Sequence, residues 1–206
     1  MTLDVSMSTM IAAAVILFLS AIVRGTTGFG YALAATPFLL IFWEPAFIVP
    51  VFMPLAVVGD VLIVMSTWRL VVWKQVIPLA VAGVACAPFG GYLLTAIPPD
   101  GLRLIVAGLA LVSGIILLRG IIIPIRHETL ASLAAGSLSG LFSTSTTISG
   151  PPVALLLINQ RLEKQRFRAC LAMYFLILQL AGSFSLAILG PLDRGTLTVT
   201  ALLLPT

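Results

Sequence analysis

Two polar segments interrupt an otherwise apolar chain, and both combine hydroxyl side chains with glycine. One segment reads Arg24-Gly25-Thr26-Thr27-Gly28-Phe29-Gly30, and the other reads Ser143-Thr144-Ser145-Thr146-Thr147-Ile148-Ser149-Gly150-Pro151-Pro152. Serine and threonine hydroxyls are neutral hydrogen-bond donors, and glycine lets a ligand approach the backbone closely. A helix that begins at such a segment has free N–H groups and a positive dipole end, which suit a small anion.

Arg24 is the one charged residue of the first apolar run. On insertion scales a charge at the centre of a bilayer costs about 2.5–3.5 kcal/mol, and such residues are usually functional or paired. Arg24 could attract an anionic substrate directly, or it could form an ion pair with Asp60, and the two roles are compatible. Asp60 is also a candidate carrier of a coupling proton. Gln179 holds a loosely corresponding place later in the chain, where an interhelical hydrogen bond would be the simpler role.

Composition places these residues in a membrane protein. Of the 206 residues, 60% are hydrophobic and 9% are charged, and the mean hydropathy is +1.19. Soluble domains average about 25% charged residues. The net charge of +4 does not indicate nucleic-acid binding, because the basic residues lie in short gaps between apolar runs rather than in one patch. We therefore predict an all-α, multi-pass protein of the cytoplasmic membrane, whose surroundings are the lipid bilayer.

Seven apolar runs can be marked along the chain, and two of them are too long for a single crossing. A crossing needs about 20 residues, since a helix rises about 1.5 Å per residue through a core of about 30 Å. The first and fifth runs each exceed 30 residues, and each contains one polar segment. We predict that each folds as a re-entrant hairpin of two half-helices. The runs cover residues 8–42, 46–66, 76–97, 104–118, 129–159 and 169–190, and the seventh begins at residue 195.

Charge placement supports this arrangement. If runs one and five are hairpins, one side of the membrane receives eight basic residues and the other receives two, which predicts the basic side as cytoplasmic and the N-terminus as outside. A full crossing by run five would instead place the basic segment 160–168 outside. The charges do not test the first hairpin, because the later gaps stay on the same sides either way. The eight are Arg69, Lys74, Arg119, Arg126, Arg161, Lys164, Arg166 and Arg168, and the two are Arg103 and Arg194.

The order of the runs indicates an internal repeat. Residues 1–126 form one unit, a hairpin followed by three spans, and residues 127–206 begin a second unit that is incomplete at its C-terminus. Three spans place the second unit in the opposite orientation, which is a recurring transporter architecture. In the two units Thr26-Thr27-Gly28-Phe29-Gly30 aligns with Thr146-Thr147-Ile148-Ser149-Gly150. We expect the two tips to meet and form a substrate site from Arg24, Gly25, Thr26, Thr27, Gly28, Gly30, Ser145, Thr146, Thr147, Ser149, Gly150 and Pro151.

The segments resemble the signatures of a known family, the sulfite exporter TauE/SafE family. Its first signature resembles Val23-Arg24-Gly25-Thr26-Thr27-Gly28-Phe29-Gly30 with Pro37 and Trp43-Glu44-Pro45 after it, and its second resembles Gly150-Pro151-Pro152 followed by Gln165-Arg166-Phe167-Arg168-Ala169. The resemblance implies an inverted-repeat helical fold and the export or uptake of sulfite, sulfonates or related organic anions.

Other functions have less support in the sequence. A serine nucleophile at Ser149 would need a base within hydrogen-bond reach, but His127 is predicted at the membrane surface and Lys74 and Lys164 lie in loops. We therefore predict that the chain is not an enzyme, with no cofactor and no metal. A passive anion channel or a non-transporting membrane scaffold remains an alternative to secondary transport. The coupling ion, a proton or sodium, and homo-oligomer formation are left open.

Overall fold

A computed structural model describes residues 7–119 and 128–189, together with residues 196, 199, 200 and 203. The predicted boundary between the two units, at residues 126 and 127, lies outside the described residues. So do Asp4, Arg126, His127 and Arg194, and most of the seventh run.

The described residues fold into α-helices joined by short turns, with no strand among them. The helices are α1 (Met7–Thr27), α2 (Tyr31–Leu39), α3 (Pro45–Thr67), α4 (Trp73–Ala96), α5 (Pro99–Arg119), α6 (Glu128–Thr146), α7 (Gly150–Asn159) and α8 (Lys164–Leu189), and a 3₁₀ turn at Trp68–Leu70 follows α3. Within this part of the chain, α1, α3, α4, α5 and α8 are long and apolar enough to cross a membrane. The prediction of an all-α membrane protein is confirmed.

The outer face of the bundle is apolar. On α5 the side chains of Leu104, Leu111 and Leu118 are 75%, 67% and 89% exposed. On α1, Met7, Ile11 and Phe18 are also exposed. Contiguous apolar surface of this extent is rare on soluble monomers, and a lipid environment accounts for it.

Each long run is broken at its polar segment, but later than the sequence predicted. The helix-breaking segments were expected to begin at Arg24 and Ser143, yet α1 continues to Thr27 and α6 continues to Thr146. Hydroxyls can return hydrogen bonds to carbonyls of the preceding turn and so remain within a helix. The breaks therefore cover residues 28–30 and 147–149. Gly28, Gly30 and Thr147 have φ angles of 83°, 89° and 65° there.

After each break the short helix turns back along the long one. Leu39 and Trp43, at the end of α2, share an apolar cleft with Leu17 in the middle of α1. At the other end of the bundle, Gln160 after α7 lies in a cleft with Glu128 at the start of α6. The two ends of the 128–160 segment are thus neighbours, as a hairpin requires.

Glycines let α4 and α6 pack against each other without a gap. A Cβ on Gly140 would overlap the carbonyl of Gly83, and a Cβ on Gly136 would overlap the carbonyl of Leu79. Thr144 of α6 also donates a 2.5 Å hydrogen bond to the Ala87 carbonyl of α4. Small residues four apart are a common device for close helix approach in membranes. Here they fix the second broken helix to the first half of the chain.

Three pairs of helix boundaries, one from each part of the chain, share a single offset. The long helices end at Thr27 and Thr146, the short helices begin at Tyr31 and Gly150, and α3 and α8 begin at Pro45 and Lys164. Each difference is 119 residues (146 − 27, 150 − 31 and 164 − 45). The alignment predicted from sequence uses an offset of 120 residues (146 − 26), whereas these boundaries favour 119. With an offset of 119, Gly28 aligns with Thr147, and both residues have a positive φ angle.

We expect Gly140→Ala to lower the free energy of unfolding by about 1–3 kcal/mol, because overpacking a tight contact costs about that much. Gly108→Ala is the matched control, since a Cβ on Gly108 meets nothing within 4 Å and alanine favours a helix. Unfolding by SDS titration in mixed micelles measures both variants. Equal stability of the two would contradict the close approach of α4 and α6.

Candidate functional site

A cavity lies where the two helix breaks meet, between α3 and α8. Its volume is about 30 Å³, which is room for about two water molecules. Eight of the predicted residues line it, namely Arg24, Gly30, Asp60, Thr147, Ser149, Gly150, Pro151 and Gln179. The remaining walls are Phe29, Tyr31, Ala32, Leu33, Phe52, Ala56, Ile148 and Phe175.

Two helices begin at this cavity. Residues 31–33 of α2 and residues 150 and 151 of α7 line it. The first N–H groups of a helix have no partner within that helix, and the helix dipole makes this end positive. Such ends attract anions. The α2 start offers the fuller set of donors, because Pro151 and Pro152 carry no N–H in the first turn of α7.

Arg24 and Asp60 form a buried ion pair in the wall of the cavity. The Arg24 guanidinium donates to Oδ1 of Asp60. Asp60 is fully buried and Arg24 is 8% exposed. The second carboxylate oxygen, Oδ2, has no hydrogen-bond partner among the described residues. The guanidinium also lies 5.7 Å from the centroid of the Tyr31 ring, so the cation is held between a carboxylate and an aromatic face.

The opposite wall is polar but uncharged. Gln179 of α8 is 6% exposed, and its Oε1 atom lacks a hydrogen-bond partner in the described part of the chain. Thr147 shares a 2.6 Å hydrogen bond with Thr36 of α2, which joins the second break to the first hairpin. Ser139 donates a 2.8 Å hydrogen bond to the Ser149 carbonyl and so holds the second break in place.

Six predicted site residues lie away from the cavity lining. The hydroxyls of Ser145 and Thr146 donate to the carbonyls of Leu141 and Phe142, one turn back in α6. Thr26 and Thr27 are exposed, and both donate to the Val23 carbonyl in the same way. Hydroxyls used within their own helix are poorly placed to bind a ligand.

The other two of these six, Gly25 and Gly28, contact the start of α8. The Arg168 side chain donates a 2.8 Å hydrogen bond to the Gly25 carbonyl. A Cβ on Gly28 would lie 2.9 Å from Cγ of Arg168. These two glycines therefore dock the first helix break onto α8 rather than line the cavity.

The aromatic walls were missed from sequence. Phe29 is flanked by Gly28 and Gly30 within the first polar segment, and that position could have indicated a cavity residue. Phe52 and Phe175 lie within continuous apolar runs, where nothing distinguishes a cavity wall from a lipid-facing or packed side chain. Tyr31 stacks on Phe52 with ring centroids 4.6 Å apart, and it became visible as a wall only once α2 was in place.

Comparison with known proteins identifies one family. The family model described as "Sulfite exporter TauE/SafE" matches residues 12–206, nearly the whole chain. No curated protein and no solved structure matched. The resemblance inferred from the two polar segments is confirmed.

We expect Gly28→Ala to destabilise the protein, by about 1–3 kcal/mol, because a non-glycine residue is strained at positive φ and its Cβ would press on Arg168. Gly25→Ala should be neutral or slightly stabilising, since Gly25 lies in α1 and a Cβ there meets nothing within 4 Å. Thermal unfolding in detergent compares the two variants. Loss of stability in Gly25→Ala alone would contradict the described position of the first break.

Proposed function

We propose a transport function for this chain. The chain belongs to the sulfite exporter TauE/SafE family. The members of this family are membrane transporters rather than enzymes. The prediction that the chain is not an enzyme is therefore confirmed. We propose that the chain is a secondary transporter in the cytoplasmic membrane. Its substrate would be sulfite, a sulfonate or a related small organic anion.

The cavity at the two helix breaks is the observation that carries the proposal. It places a buried cation, Arg24, next to the donor-rich start of α2. The same cavity is lined by Gln179 and Ser149, whose amide and hydroxyl are further donors. The Thr147 hydroxyl is already bonded to Thr36 and to the Thr146 carbonyl. An anion of the sulfite or sulfonate type has three oxygens that accept hydrogen bonds, so it can use all three groups of donors. Gly30 and Gly150 leave space for it at the backbone.

The size of the cavity implies movement during transport. Room for about two waters is less than a sulfonate needs, so substrate entry requires the lining helices to separate. We propose that the two predicted units, residues 1–126 and 127–206, are inverted repeats built around this site, as in other transporters with broken helices. The offset of 119 residues that three pairs of helix boundaries share supports this proposal.

We propose that the N-terminus faces outside and that the hairpins enter from opposite sides. Lys74 lies beside Glu128 and Gln160 in one cleft, and Arg168 and Gln165 lie beside Thr67 in another. Each cleft therefore holds one basic residue, Lys74 or Arg168, and both clefts lie at the turn between α3 and α4. The positive-inside rule makes that end of the bundle cytoplasmic.

The test is binding of sulfite, sulfoacetate and acetate to the purified full-length protein. We expect the two sulfur anions to bind and Arg24→Ala to weaken their binding about 10- to 100-fold, because hydrogen bonds to charged groups contribute about 1.5–3 kcal/mol. Arg69→Ala is the control, since Arg69 is a surface arginine at the end of α3. Binding of the sulfur anions that Arg24→Ala does not weaken would refute the assigned site. Binding of acetate alone would refute the assigned substrate class.

Transport itself is tested in proteoliposomes loaded with the bound anion. A secondary transporter concentrates its substrate against a gradient when a proton or sodium gradient is applied. Flux that no ion gradient drives uphill would indicate a passive channel, and absence of flux with intact binding would indicate a non-transporting protein.

A further inference from the structure

We infer that the substrate anion and Asp60 compete for Arg24, and that Asp60 takes up one proton (H⁺) from the surrounding solution when the anion displaces it. This inference rests on the proposed function and names the coupling ion for the same site. It makes the Arg24–Asp60 pair the element that links one anion to one proton. The net charge of the site then stays constant, because the anion replaces a carboxylate charge that the proton neutralises.

The geometry of the pair carries the first step. Arg24 contacts Asp60 through its guanidinium, and both side chains line the cavity at the start of α2. An anion bound at that helix start therefore competes with the carboxylate for the same cation. Oδ2 of Asp60 already lacks a hydrogen-bond partner among the described residues. Arg24 is therefore the main group that stabilises the negative charge of the carboxylate.

The surroundings of Asp60 supply no replacement cation. Of the residues that line the cavity, the ionisable ones are Arg24, Asp60 and Tyr31. On α8 the cavity is lined by the neutral Gln179. The ionisable residues of that helix lie outside the cavity lining, and they are Lys164, Arg166, Arg168, Cys170 and Tyr174. The helix α7 has no ionisable side chain. In α6 the ionisable residue is Glu128, at the first position.

The other helices packed against α3 add no cation to the cavity lining. On α5, Asp100 and Arg103 pair with each other near the start of the helix. The ionisable residues of α4, which are Lys74, Cys86 and Tyr92, lie outside the cavity lining. A buried carboxylate that loses its only counter-charge is strongly disfavoured and becomes neutral instead.

The second half of the chain limits the coupling to one proton. With the offset of 119 residues, Arg24 corresponds to Ser143 and Asp60 corresponds to Gln179 (143 − 24 and 179 − 60). Ser143 and Gln179 are both buried, and neither side chain ionises. The corresponding positions therefore carry no titratable group, and a single carboxylate, that of Asp60, lines the cavity.

The experiment is calorimetric titration of the purified protein with methanesulfonate, an anion that stays fully ionised across the pH range. Titration at each pH in two buffers of different ionisation enthalpy counts the protons taken up. We expect about one proton to be taken up for each anion bound. The apparent Kd should rise by up to tenfold per pH unit as pH increases, because the linked proton becomes scarcer.

Asp60→Asn is the decisive variant, since it retains the shape of the side chain without the titrating group. It should bind methanesulfonate with no proton uptake and with little dependence on pH. Asp100→Asn is the matched control, because Asp100 is an exposed carboxylate, and it should behave like the unaltered protein. Infrared difference spectra should also show a protonated-carboxyl C=O band on binding that is absent from Asp60→Asn.

Each outcome bears on a distinct claim. Methanesulfonate binding to the unaltered protein without proton uptake overturns the inference and leaves the proposed function standing, and it does so even if Asp60→Asn does not fold. Proton uptake that persists in Asp60→Asn overturns the assignment to Asp60. Absence of binding by methanesulfonate, sulfite and sulfoacetate alike overturns the proposed function and the inference with it.

Discussion

The backbone at residues 28–30 and 147–149 leaves its helices, and non-helical backbone is tolerated at membrane depth only inside protein or along a water-filled cavity. The packing of the chain meets this constraint. Arg168 of α8 covers the first break, and Thr36 of α2 together with Ser139 of α6 holds the second. Both breaks then face one cavity rather than lipid. The same enclosure brings the starts of α2 and α7 together. The packing that keeps the non-helical backbone away from lipid therefore also produces a site suited to anions.

Close helix packing makes the enclosure possible. The carbonyls of Leu79 and Gly83 on α4 occupy the space that side chains at Gly136 and Gly140 would need on α6. Lipid tails are as apolar as leucine, so burial of apolar side chains gives little drive for helices to associate within a bilayer, and close van der Waals contact contributes more. This contact fixes α6 against α4, and the shorter helix α7 completes the cavity wall.

Composition, run length and glycine content predicted the membrane class, the two broken helices and the residues nearest the cavity. These properties depend on local sequence and on the dimensions of a bilayer, so a single sequence is enough to predict them. The helix ends were less predictable, because Ser145 and Thr146 bond within α6 instead of breaking it. Phe52 and Phe175 were not predictable at all. An aromatic residue in an apolar run becomes a cavity wall only through the helices packed around it.

The two halves share an architecture but differ in charge, and this difference separates what the fold needs from what the site needs. A buried ion pair is weak evidence for a stabilising role, since apolar or neutral replacements often stabilise a protein as well or better. In the repeat that we propose, the offset of 119 residues places the uncharged Ser143 and Gln179 opposite Arg24 and Asp60. The second set of helices then forms without an ion pair at these positions. The desolvation penalty at Arg24 and Asp60 is thus explained better by the anion site that we propose for the cavity than by a gain in stability.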